Sequence, residues 1–149
     1  MSEQHRQILV VDDDPAVRQI LATALRQLNM VVDEAAEGRT AIQLLSENHY
    51  SVVLLDLLMP DVDGFGVLDA IDGASAQPPI VLVVTGADHS IVERLDARRI
   101  HGIVRKPFDA AEIAQVVAAC AEIRSRSAFE KMAIATMISS APLIAFLKL

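Results

Sequence analysis

Five short aliphatic runs alternate with five helical patterns along this chain. That alternation predicts an α/β domain, a doubly wound parallel sheet of five strands covered by helices on both sides. Two observations carry the prediction. The runs Ile8–Val11, Val52–Leu55 and Ile80–Val84 are continuous and rich in β-branched residues, as strands buried on both faces are. The segments between them repeat apolar residues at three and four positions, the period of a helix with one buried face.

Taken in order, Ile8–Val11 is the first strand and ends in Asp12, Asp13, Asp14 and Pro15. Asp14 is placed to cap a helix with Pro15 at its first position. Val17, Ile20, Leu21, Ala24, Leu25 and Leu28 form that helix's apolar face. Val31–Ala35 is the second strand, and Arg39–Asn48 the second helix, with Ala41, Ile42, Leu44 and Leu45 as its stripe. The central strand Val52–Leu55 runs into Asp56, and Pro60, Asp61, Asp63 and Gly64 mark the loop beyond. A third helix covers Phe65–Asp72, and small residues and proline make a loop of Gly73–Pro79. Ile80–Val84 is the fourth strand, ended by Thr85-Gly86, and Asp88–Ala97 a weaker helix carrying Ile91, Val92 and Leu95. Gly102–Val104 is the fifth strand, with Arg105, Lys106, Pro107 and Phe108 after it. Asp109 caps a fifth helix with Ile113, Val116, Val117 and Cys120 on one face.

The 149 residues suit one domain, 1–123, and an apolar extension, 124–149. With 52% hydrophobic but only 3% aromatic residues, the core must be aliphatic. Twenty acidic against 13 basic residues give a net charge of -7, which argues against direct nucleic-acid binding. The single Cys120 excludes an intramolecular disulfide, suits a reducing compartment, and on an apolar helix face reads as a small core side chain. Met1–Gln7 is polar and lacks a signal-peptide core, so the expected location is cytoplasmic. The four histidines show no metal-ligand spacing.

Polar residues punctuate four strand ends: Asp12 with Asp13, Asp56, Thr85 and Lys106. In an open parallel sheet these ends meet on one edge, where ligands bind. Each residue alone has a plain structural explanation as a turn, cap or solvated charge. Together they propose a site. Crowded carboxylates repel unless a cation is present, and a hard oxygen site with few protein ligands suits Mg²⁺. A hydroxyl and an ammonium suit a phosphoryl group, and an aspartate can act as nucleophile toward phosphorus.

The segments Ile-Leu-Val-Val-Asp-Asp-Asp-Pro, Leu-Leu-Asp-Leu-Leu-Met-Pro-Asp-Val-Asp-Gly, Val-Val-Thr-Gly and Arg-Lys-Pro-Phe occur in that order. Over roughly Gln7 to Ile123 the chain resembles the receiver domain of bacterial two-component response regulators. The resemblance implies a flavodoxin-like sheet of strand order 2-1-3-4-5. It implies that Asp56 is the phosphoacceptor and that Asp12, Asp13, Asp56 and the backbone carbonyl of Leu58 hold Mg²⁺. It makes Thr85 the switch hydroxyl, Lys106 the partner of the phosphoryl group, and Lys106–Pro107 a cis peptide. The implied partners are a sensor histidine kinase or phosphotransfer protein and a downstream protein target. The implied catalysis is limited to the domain's own phosphorylation and dephosphorylation.

Four positions depart from the family's pattern. Ile103 stands where an aromatic residue usually rotates inward on activation, and Gly86 where alanine is frequent. Leu58 and Ala87 cannot hydrogen-bond an attacking water, so a long-lived phosphorylated form is expected. Asp61-Val62-Asp63 mimics the Asp-x-Asp signature of haloacid-dehalogenase-type phosphatases. It lies in a loop rather than at the first strand's end and ranks below the receiver reading. A pseudo-receiver, never phosphorylated, is opposed by the complete set of five polar residues. The extension is expected to be helical. Met132–Leu147 carries no charge, but its 16 residues and Pro142 make no transmembrane span. Phe129–Leu149 is expected to mediate homodimerisation or docking to a partner.

Overall fold

The computed structural model describes residues 6–74 and 77–123, together with the backbone of 144–147. The order of elements is β1 (Gln7–Val11), α1 (Pro15–Gln27), β2 (Val31–Ala35), α2 (Gly38–Glu47), β3 (Val52–Leu55) and α3 (Gly64–Ala74). It continues with β4 (Ile80–Thr85), α4 (His89–Val92), β5 (Gly102–Arg105), α5 (Ala110–Ile123) and β6 (Ile144–Leu147). Five parallel strands lie in the order 2-1-3-4-5, as expected, and β6 adds to the outer edge of β5 in antiparallel sense.

The period of two along each strand divides the core into two layers. Ile8, Val10, Val52, Leu54, Leu82 and Val84 face α1 and α5, where they meet Leu21, Leu25, Ile113 and Val117. Leu9, Val11, Val53, Leu55, Val81 and Val83 face the other way, onto Ala41, Val67, Leu68 and Ile71. Both faces are covered, which is why the central strands read as unbroken aliphatic runs. Cys120 is fully buried in the first layer, and burial alone pushes its thiol up to about 12, out of reach of nucleophilic chemistry.

The ends of α1 obey local rules. The Asp14 carboxylate accepts from the Ala16 amide at 2.9 Å, with Pro15 opening the helix. At the other end Asn29 takes a left-handed conformation, φ 61°. Its amide donates to the Arg26 carbonyl and that of Met30 to the Leu25 carbonyl, the paired bonds of a Schellman cap.

Three expectations are corrected. Ile20 is 55% exposed, because α5 packs along the Leu21–Leu25 line and leaves Ile20 at the margin of the stripe. The helix expected over Asp88–Ala97 is only His89–Val92. Beyond it Arg94 and Leu95 donate to the carbonyls three residues back, and the Asp96 carboxylate accepts from the Arg98 amide at 2.9 Å. Tight turns thus replace helix, yet Ile91, Val92 and Leu95 still pack on the second core layer. Finally, Ile144–Leu147 is a strand, not part of a helical extension. Pro142 disfavours helix just before it, and the β5 edge offers unpaired backbone groups. Most of the stretch expected to self-associate, residues 129–143 and 148–149, lies outside the described residues.

Candidate functional site

The register of the sheet brings the strand ends together. Val11 pairs with Leu55 across β1 and β3, so Asp12 and Asp56 leave the sheet side by side. The Asp56 amide donates to the Val11 carbonyl at 2.9 Å. Thr85 pairs with Arg105 across β4 and β5, and the Lys106 amide donates to the Thr85 carbonyl at 3.1 Å. The Lys106–Pro107 peptide is cis, as expected.

Asp12 and Asp56 are only 2% and 5% exposed, while Asp13 stands exposed at the mouth. Carboxylate oxygens of all three lie within 4.8 Å of one another. Lys106 Nζ donates to Asp12 Oδ2 at 2.7 Å and more loosely to Asp56 Oδ2 at 3.4 Å. Burial raises the pKa of Asp56, and the charge of Asp12 raises it further, while Lys106 and the Leu58 amide act the other way. Burial alone would lower Lys106, but its hydrogen bond to Asp12 and the charges of Asp56 and Asp12 prevail and raise it. One ammonium therefore meets two of the three carboxylates. The remaining donor set, hard oxygens of like sign around a confined space, fits a small divalent cation such as Mg²⁺.

The other expected members are less tightly engaged. The Leu58 amide donates to Asp56 Oδ1 at 3.4 Å, while its side chain is 49% exposed at the rim. The Thr85 side chain is fully buried, and its Oγ1 accepts from the Ala87 amide at 3.0 Å. The hydroxyl is thereby an acceptor within its own loop and keeps its proton for another partner. Gly86 has no left-handed φ, and a Cβ there would meet the Lys106 stem at an ordinary 3.9 Å. Ile103 is half-buried against the second core layer, on which Ile91, Val92 and Leu95 also pack. Asp61 and Asp63 stand apart from the strand ends. Asp63 opens α3, accepting from the Gly66 amide at 3.2 Å, and Asp61 is an exposed turn residue with φ 62°.

Two side chains bind this region that the strand-end pattern does not reveal. Arg105 Nη1 donates to the Ala87 carbonyl at 2.7 Å and ties the loop after β4 to β5. Arg18 Nη1 donates to the Asp12 carbonyl at 2.8 Å. Arg18 lies one helical turn beyond Asp14, and helical side chains tilt toward the N-terminus, the one sequence signal that it returns to this loop.

Residues 8–118 match the family model described as the response regulator receiver domain. The chain is 36% identical over 122 residues to the transcriptional regulatory protein ResD of Bacillus subtilis, covering 82% of this chain and 50% of that protein. It is 34% identical over 107 residues to the transcriptional regulatory protein SrrA of Staphylococcus aureus, covering 72% and 44%. The chain thus spans about half the length of these curated relatives. Among solved structures, a response regulator signal receiver domain from Bermanella marisrubri superposes with a TM-score of 0.66 at 31% identity, over 74% of this chain and 94% of that one. The receiver domain of a Pseudomonas aeruginosa sensor histidine kinase, solved with magnesium in its active-site cleft, shares the fold with a TM-score of 0.70 at 21% identity, over 78% and 98%.

Proposed function

The chain belongs to the response regulator receiver domain family, the phosphorylation-controlled switches of two-component signalling, and on that premise we propose that Asp56 is its phosphoacceptor. The observation that carries the reading is the placement of Asp56. It is a buried carboxylate at the end of the central strand, between Asp12 and Lys106, raised in pKa and unsatisfied by the single ammonium.

The donor is a phosphohistidine of a sensor histidine kinase or phosphotransfer protein. An Asp56 oxygen forms the O–P bond as the donor's P–N bond breaks, and the electron pair leaves with the imidazole. Asp12, Asp13, Asp56 and the Leu58 carbonyl hold Mg²⁺, which when bound neutralises charge on the transferring phosphoryl group. Lys106, now shared between Asp12 and Asp56, turns toward a phosphoryl oxygen. The proton that Thr85 keeps free donates to another. The Thr85 hydroxyl is held by the Ala87 amide before the reaction, so it needs little reorganisation. Turnover is confined to formation and hydrolysis of the domain's own aspartyl phosphate.

Output passes to a downstream protein target. The net charge of -7 disfavours direct contact with a nucleic-acid backbone. Among the described residues no helix is long and apolar enough to cross a membrane. We place the domain in the cytoplasm, where its kinase and phosphodonors are accessible.

Acetyl phosphate with Mg²⁺ tests the assignment. Intact-mass spectrometry should show one added phosphoryl group on the native chain and none on Asp56→Asn. Equal labelling of that variant removes Asp56 as the acceptor.

A further inference from the structure

Asp12 is the first residue past β1, where the ladder stops supplying partners. Its amide still reaches back to the Ala35 carbonyl at 3.1 Å. Its Oδ1 accepts from the Asp14 amide at 2.9 Å and its Oδ2 from Lys106 at 2.7 Å. Its carbonyl accepts from Arg18 Nη1 at 2.8 Å. The Arg18 side chain is 18% exposed, and its Nε lies 3.8 Å from Glu34 Oε1 on β2. Glu34 is itself met by Arg26 Nη2 at 3.4 Å.

We propose that Arg18, anchored by Glu34, is a positioning residue that fixes the Asp12–Asp13 peptide and so presents both carboxylates to the cation. This rests on the reading of the acidic pocket as a Mg²⁺ site. The Asp12 carbonyl belongs to the peptide that joins the two aspartates. Fixing that oxygen fixes the plane from which both side chains depart. A guanidinium suits this work, because one arm of its planar fork donates to the carbonyl while its charge pairs with the Glu34 carboxylate at 3.8 Å, where an ammonium is a point charge. Charge alone argues against an arginine here. It sets a cation one peptide away from a pocket meant to attract another. Geometry and charge therefore make opposite statements about removing it.

That opposition supplies the test. Mg²⁺ is titrated calorimetrically into the native 149-residue chain, Arg18→Gln and Arg18→Lys, with a thermal melt of each. Arg18→Gln removes the positive charge, so charge alone predicts tighter Mg²⁺ binding. Arg18→Lys keeps the charge and loses the fork, so charge alone predicts no change. The positioning role predicts weaker binding in both, by about tenfold, as for other groups that orient metal ligands. Wild-type affinity in Arg18→Lys, or equal or tighter binding in Arg18→Gln, overturns the proposal. Should Arg18→Gln be unfolded at the titration temperature, Arg18→Lys decides. A native chain that binds no Mg²⁺ at all overturns the cation-site reading itself, an outcome distinct from failure of the clamp.

Discussion

Asp56 is held where ionisation is unfavourable. Its pKa in the fold lies above the ordinary 3.8, first because it is buried and then because Asp12 is beside it. The linkage has a definite sign. A carboxyl raised in the folded state contributes fully at low pH, and its contribution is lost as pH rises through the raised value. At neutral pH the ionised Asp56 therefore costs stability in the absence of metal. Asp56→Asn should raise the melting temperature at pH 7 without divalent ions by about 2–4 °C, equivalent to roughly 1 kcal/mol. The gain should shrink as pH falls toward 3.8, where Asp56 is increasingly protonated both folded and unfolded. A calorimetric pH series that shows no gain at pH 7 contradicts the account. A second property, the lifetime of the phosphoryl group, is expected to depend on Leu58 and Ala87. Leu58 is an apolar chain at the rim, and Ala87 is buried with its amide spent on Thr85. Neither can orient a water. Leu58→Asn and Ala87→Glu should each shorten the aspartyl-phosphate lifetime severalfold in a decay time course. Unchanged decay in both shows that these positions do not control hydrolysis. The candidate residues at the strand ends were legible because polarity at the end of an aliphatic run is a local signal. Arg18 with Glu34 was not, since they meet only when α1 folds back beside β2.

The element that depends most on its neighbours is the loop between β3 and α3. It carries Leu58, and its seat is built from glycines. A Cβ on Gly38 would collide with the backbone carbonyl and side chain of Val62, and one on Gly66 would lie 2.7 Å from Val62 Cγ1. Val62 is thus wedged between the start of α2 and the first turn of α3. Alanine at position 38 is favoured by helix propensity by ~1 kcal/mol. Here the collision with main chain should outweigh that gain. Gly38→Ala should destabilise by about 1–3 kcal/mol, the usual range for overpacking, and weaken Mg²⁺ binding as the Leu58 backbone moves. Denaturant unfolding checks the first effect. A neutral or stabilised variant would mean that the loop shifts freely. No pattern in the sequence announces this seat, because a glycine at a helix start has several ordinary explanations. The strands are the opposite case. Burial on both faces leaves them one composition, which is why their positions were readable to within a residue or two. The fourth helix misled for a related reason. Ile91, Val92 and Leu95 have helical spacing, and a single helical turn followed by tight turns satisfies the same spacing.

At the scale of the molecule, the meeting of four strand ends follows from a parallel sheet, and the strand order is what the resemblance carried by the motifs implies. The sixth strand follows from neither. It pairs Gly102 with Leu147 and Ile103 with Phe146, with an irregularity before Val104 meets Ile144. Its composition serves either a helix or a strand, and the β5 edge decides between them. Gly102 and Leu147 lie 45 positions apart in the chain, too far for any local periodicity to specify the pairing. Without β6 the outer edge of β5 would present a row of unpaired amides and carbonyls, a template for another chain. The same strand carries Ile103 and runs directly into Lys106 at the pocket, so a change on its outer edge is one peptide removed from the ammonium shared by Asp12 and Asp56. Ending the chain at Leu143 should therefore have two effects. Hydrogen exchange should quicken at those β5 amides that face outward, because their partners are gone. Light scattering should show association that grows with protein concentration, as open edges pair between copies. The full chain should stay protected at β5 under the same conditions. If β5 exchange is the same in both chains and the shortened one stays monomeric at high micromolar concentration, β6 does not cover this edge in solution.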